Sequence, residues 1–204
     1  MKKPFKCFGI VIFIISIFSL GSPAFADATS DYEPAGIGFQ FGVSMQQFQQ
    51  ASFRQGVGNF FRLVITSDEN SSYYMHSEQS SFNVEEGDAS SNATQNIHGI
   101  GASIGLGIGI SLDIMVGGAT INIPAAASAS GGTDAIAAAR STDPVGDIAV
   151  KWTKISGRVS LDVGLTYRIH PSGRNVVVTD SGGTASNVND LGSMNLDVAI
   201  KYGF

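Results

Sequence analysis

The sequence predicts an all-β fold, an antiparallel up-and-down transmembrane barrel with room for about eight strands. Three observations predict it. Near its end the chain alternates, with Leu196, Val198, Ile200, Tyr202 and Phe204 on one face and Asn195, Asp197, Ala199, Lys201 and Gly203 on the other. Such alternation suits a strand with one face in lipid and the other on a polar lumen. The chain also begins with an export signal: Lys2, Lys3 and Lys6 precede an apolar stretch from Phe8 to Leu20 and an Ala24-Phe25-Ala26 cleavage site. The same period-two alternation recurs through the interior.

The expected domain organisation is a cleaved signal peptide, residues 1–26, followed by a single barrel domain, residues 27–204. Cys7 leaves with the peptide, so the mature chain can form no internal disulfide. The whole chain has 12 basic and 17 acidic residues, and losing Lys2, Lys3 and Lys6 leaves 9 against 17, a formal charge of -8. That balance, with no long basic run, argues against a nucleic-acid partner.

The first strand is 35–46, where Ile37, Phe39, Phe41, Val43 and Met45 alternate with Gly38, Gln40, Gly42, Ser44 and Gln46. The second, 58–67, places Phe61, Leu63 and Ile65 outside and ends at a Ser67-Asp68-Glu69-Asn70 turn. The third, 72–84, carries polar residues on both faces, which predicts that much of it projects above the membrane. The fourth is read as 97–116, with every even position from Ile100 apolar. A helix with a Gly101, Gly105, Gly109 stripe is the rival there, but alternating Gly and Ile would scatter around its circumference, and each glycine costs a helix about 1 kcal/mol.

Hairpin parity extends the assignment. A Gly117-Gly118 turn pairs Val116 with Ala119, Ile114 with Ile121, Leu112 with Ile123 and Asp113 with Asn122, giving a fifth strand from 119 to 124 and a few residues beyond. A Ser156-Gly157 turn pairs Trp152 with Leu161, Val150 with Val163, Ile148 with Leu165 and Lys151 with Asp162, giving strands 146–155 and 158–169. The last strand is 190–204. Short turns then fall at one end, and the longer connections, 47–57, 85–96, 125–145 and 170–189, fall outside. Ala125 to Arg140 is low in complexity and reads as a mobile loop, with a short helix through Asp134 to Arg140 as a minor alternative.

The inward face of these strands collects Arg62, His76, Glu78, Asp147, Lys151, Arg158, Asp162, Arg168, Asp197 and Lys201. An eight-stranded barrel is barely wider than its own side chains, and buried charges need partners, so a polar plug is favoured over a conduit. His76, Ser77 and Glu78 invite a hydrolase reading. Adjacent strand residues point to opposite faces, however, so His76 cannot easily activate Ser77. No cluster at ligand spacing suggests a metal, and Gly105-x-Gly107-x-Gly109 lacks the strand-turn-helix context of a nucleotide loop, so neither metal nor cofactor is expected.

With the export signal and the Leu196, Val198, Ile200, Tyr202, Phe204 ending, the chain resembles small Gram-negative outer-membrane β-barrel proteins as a class. The resemblance implies an outer-membrane location, lipid as the surrounding partner, and recognition of that ending by the barrel-assembly machinery. The class includes surface-interaction and membrane-stabilising proteins, narrow channels and lipid-modifying enzymes, and fold does not select among them. The favoured reading is a non-enzymatic barrel acting through its outer loops, with a narrow channel and a lipid enzyme as alternatives. A secreted fimbrial-type subunit shares alternating strands and an aromatic ending, but the mature chain lacks a cysteine pair.

Overall fold

The computed structural model describes residues 36–68, 70–171, 176–179, 183–188 and 192–204, so the expected signal peptide lies outside the described residues. In chain order the strands are β1 (Gly36–Phe48), β2 (Gly56–Asp68), β3 (Ser71–Glu86), β4 (Ala89–Gly107), β5 (Ile110–Ile123), β6 (Ala126–Ala127) and β7 (Ala135–Ile136). They continue with β8 (Ala139–Ser156), β9 (Val159–Ile169), β10 (Val176–Thr179), β11 (Ala185–Val188) and β12 (Ser193–Gly203). Eight of them close into a barrel in the order β1-β12-β9-β8-β5-β4-β3-β2. The remaining four form a small sheet in the order β11-β10-β7-β6. Closure runs from Gly38 opposite Gly203 to Phe48 opposite Ser193.

Alternation sets the faces. Ile37, Phe41, Met75, Ile100, Ile114, Val150, Leu165, Val198, Ile200 and Phe204 are exposed apolar side chains on the barrel exterior. A surface of this extent is a lipid-facing belt, since it far exceeds what a water-soluble chain leaves open. At the end holding the last strand's terminus, Phe39 stacks on Phe61 at 5.7 Å and meets Phe204 edge-on at 5.5 Å, while Tyr202 meets Phe204 at 5.1 Å. These rings form part of an interfacial girdle.

Two sequence-based hairpins need correction. The turn expected at Gly117-Gly118 lies instead at Gly107-Ile108-Gly109, all three with positive φ. Gly117 and Gly118 sit within β5, opposite Gly99 and His98. In the true register Ile104 faces Leu112 and Ala102 faces Ile114, so even residues pair with even residues across the turn. Alternation therefore continues unbroken through the reversal and hides it. In the second hairpin the register is shifted by two, with Val150 opposite Leu165 and Lys151 opposite Gly164 rather than Asp162. A shift of two preserves the faces but changes every partner.

The outer connections differ as well. β3 and β4 run on to Glu86 and from Ala89, so the expected 85–96 loop reduces to a turn at Gly87 and Asp88. Within 125–145 the structure has β6, β7 and the start of β8, and no helix through Asp134.

Above the membrane belt the two faces exchange chemistry. The outward residues of β3 change from Tyr73 and Met75 to Ser77, Gln79, Ser81 and Asn83, and those of β4 from Ile104 and Ile100 to His98, Asn96, Thr94 and Asn92. Inside, Phe48, Phe53, Phe82, Val84, Ala89, Ala93, Ile121, Ile123 and Ile136 form a buried apolar cluster. Once water replaces lipid outside, the interior must supply the apolar burial that holds the sheet. The Phe48, Phe53 and Phe82 rings meet with centroids 4.6 to 5.8 Å apart. Ile136 of β7 packs into this cluster, so the β6–β7 segment contributes to the cover.

The β4–β5 reversal gives a direct test. Gly109 has φ of 73°, and a Cβ there would lie 2.7 Å from the Thr153 carbonyl oxygen. Gly109→Val should destabilise the folded barrel by about 1–3 kcal/mol, read as a lower urea midpoint in detergent. A turn at Gly117-Gly118 would leave that midpoint unchanged.

Candidate functional site

The inward residues of β3, β8 and β9 meet at a buried guanidinium. Asp147 and Arg168 are direct cross-strand neighbours, and Glu78 comes from β3, diametrically opposite β9 in the ring of eight. Arg168 donates Nε and Nη2 to the two Asp147 oxygens at 2.9 Å each. It also donates Nη1 and Nη2 to the two Glu78 oxygens at 2.9 and 2.8 Å. Arg168 is 2% exposed, and Gln46 adds a bond to Glu78 at 2.7 Å. Only the planar fork of an arginine serves two carboxylates in this way.

A second cluster shares the lumen. Arg62 reaches Asp113 at 3.3 Å, and Lys151 reaches the same Asp113 oxygen at 2.7 Å. The Arg62 guanidinium carbon also lies 4.6 Å from the Tyr74 ring centroid and 4.9 Å from that of Phe60, in cation–π range. Arg62 Nε lies 3.0 Å from His76 Nδ1, and His76 Nε2 lies 3.3 Å from Glu78. Because the guanidinium can only donate, His76 Nδ1 accepts, which leaves the Nε2 hydrogen facing Glu78. His76 thereby joins the two clusters. Ser77 lies on the opposite face of β3, as alternation requires.

The remaining expected lumen residues divide. Asp162 is buried and accepts from Gln40, not from Lys151. Asp197 is half-buried and accepts from the Thr166 hydroxyl at 2.6 Å, and Lys201 is half-buried near the lower mouth. Arg158 does not join them: it is exposed in the β8–β9 turn. The shift of two in the hairpin register moves it from strand to turn.

Sequence reasoning missed Asp113 as the shared acceptor for two cations, and Tyr74 and Gln40 as lumen groups. Parity placed Gln40 and Asp113 inside, but a choice restricted to charged residues on presumed strands, with the wrong partner for Asp113, passed over them. It also missed the interior apolar residues Val64, Ile97, Met115 and Val145, which form a buried cluster with Tyr74. Tertiary crossing of the lumen leaves no periodic trace in one strand.

A closed eight-stranded barrel with an apolar belt and a filled polar interior defines a small transmembrane β-barrel of the bacterial outer-membrane type. No family model matches the chain, and no curated protein matches it. Among solved structures it is similar to Neisserial surface protein A (NspA), with a TM-score of 0.53 and 11% identity over 84% of this chain and 100% of that one. It is also similar to Ail, the attachment invasion locus protein of Yersinia pestis, with TM-score 0.55, 10% identity, and coverage of 84% and 100%. The outer membrane protein OprG of Pseudomonas aeruginosa gives 0.52 and 8% over 85% and 98%.

Removing one member of the fork leaves buried charge without its partner, at a cost of about 3–5 kcal/mol. Arg168→Met should therefore lower the unfolding midpoint strongly, and adding Glu78→Gln with Asp147→Asn should recover much of the loss. Additive losses on combining the three changes would show that the charges are not coupled.

Proposed function

We propose that this chain is a non-enzymatic outer-membrane barrel that acts through the parts standing above the membrane, in surface interaction or envelope integrity. The observation that carries this reading is the double closure of the interior. The Arg168 fork spans the lumen, and the apolar cluster around Phe48, Phe82 and Ile123 fills the space toward the outer end. A filled interior directs function to the exterior, where β3, β4, β5 and β8 extend a water-facing wall of Ser, Thr, Asn and Gln side chains. The solved neighbours' names, a surface protein and an attachment and invasion protein, agree with that direction. His76 is held between Arg62 and Glu78, which supports a structural role for it.

Replacing residues 124–138 and 171–192 by short turns tests the reading. Cells carrying this variant should retain a heat-modifiable barrel in the outer membrane yet lose the adherence or detergent resistance that the full chain confers. Unchanged adherence and resistance would count against it.

We also infer that Leu196, Val198, Ile200, Tyr202 and Phe204 form the signal read by the barrel-assembly machinery. Deleting Phe204 should reduce insertion in cells several-fold while refolding into detergent proceeds. An equal loss in detergent would assign Phe204 to packing against Phe39 and Tyr202 alone.

A further inference from the structure

The outer face of β2 to β5 carries a groove of about 560 Å³, walled by Phe61, Leu63, Met75, Ile100 and Val116, with Ser77 and His98 on its upper rim. That volume lies within the range of sites that hold small ligands, which are mostly apolar with a few placed polar groups. The floor is backbone, where Gly99 of β4 lies opposite Gly117 of β5. A Cβ on Gly117 would overlap the His98 carbonyl oxygen and lie 2.7 Å from Gly99 Cα, so the close approach of the two strands requires glycine there.

Ser77 and Gly118 are the direct cross-strand neighbours of His98. The imidazole therefore stands between a small hydroxyl and a residue with no side chain. It is exposed, and neither it nor the Ser77 hydroxyl has a hydrogen-bond partner among the described residues. This row is also the level at which the wall changes from apolar to polar, from Met75 to Ser77 on β3 and from Ile100 to His98 on β4. In a bilayer that level is the boundary between hydrocarbon and headgroups. The groove is thus continuous with the lipid-facing belt below it and ends on two polar groups where a lipid's head begins.

Both polar groups can donate: an imidazole offers an N–H in either protonation state, and a serine offers its O–H. No acidic side chain faces outward on β3 from Tyr73 to Asn83, on β4 from Asn92 to Ile104 or on β5 from Leu112 to Asn122, so an anionic acceptor meets no like charge on this wall. Hydrogen bonds to such an acceptor are the strong ones. We propose that the groove binds one phosphate-bearing lipid of the outer leaflet, with an acyl chain along Leu63, Met75, Ile100 and Val116 and the phosphate accepting from His98 and Ser77. A lipid held there fixes the depth at which the barrel sits, just where its water-facing wall begins.

The test is native mass spectrometry of the full chain folded in detergent and mixed with dipalmitoyl phosphatidic acid or with dipalmitoylglycerol, which has the same chains and no phosphate. One phosphatidic acid per chain should stay bound at a concentration about tenfold or more below that needed for the diacylglycerol, the least that a hydrogen bond to a charged group is worth. Combining His98→Ala with Ser77→Ala should abolish that preference, and electrophoretic heat-modifiability checks that the variant keeps the barrel. In the wild-type chain, a phosphatidic acid carrying a diazirine in its acyl chain should label residues 61–77 and 97–117, a readout that needs no variant. Equal retention of the two lipids, a preference that survives the double substitution, or labelling only elsewhere would overturn the site.

Discussion

The structure depends most on one guanidinium held across the lumen. Arg168 joins β9 and β8 through Asp147 and reaches diametrically across the ring to Glu78 on β3. A barrel wall is held only by its strand ladder, and cross-lumen bonds resist its flattening. Buried charges gain little over a well-packed apolar core, but they penalise any arrangement that separates them. The fork therefore specifies the shape and filling of the interior more than it adds to stability. Arg62, His76 and Lys151 extend the same constraint to β2, β3 and β8 through Asp113 and Glu78.

Above this network the wall becomes a water-soluble sheet closed over its own apolar core. The change occurs over a few residues on each of β3, β4 and β5, where outward Met75, Ile100 and Val116 are followed by Ser77, His98 and Gly118. The solvent on the outside dictates which face must be apolar at each level. The β6–β7 segment and Phe53 of the first outer connection complete the cover through Ile136 and the Phe48–Phe53–Phe82 rings.

The sequence revealed what period two can reveal. Faces of β1, β2, β9 and β12 were legible because each has lipid on one side, and Leu196 to Phe204 point as expected. The β4–β5 reversal was not legible, because its register pairs even residues with even residues and carries the alternation past Ile108. The projection of β3 above the membrane was legible in its polar faces, but the extension of β4 was hidden because Ser90, Asn92, Thr94 and Asn96 lie outside and small Ala89 and Ala93 inside, a contrast too weak to register as a lipid strand. Most charged lumen residues were found by parity. Their partners were not, since the contacts of Arg168 with Glu78 and of Arg62 with Asp113 depend on how the ring closes.

A lumen bridged at its waist by the Arg168 fork and packed with apolar side chains above it is what supports the proposed reading, in which the protein acts through its outer surface. The most direct measurement is single-channel conductance of the folded full-length chain in a planar bilayer. The wild-type barrel should pass no stepwise current. Regular, reproducible conductance steps from the wild-type chain would contradict it and make the Arg168 network a gate or filter instead of a plug.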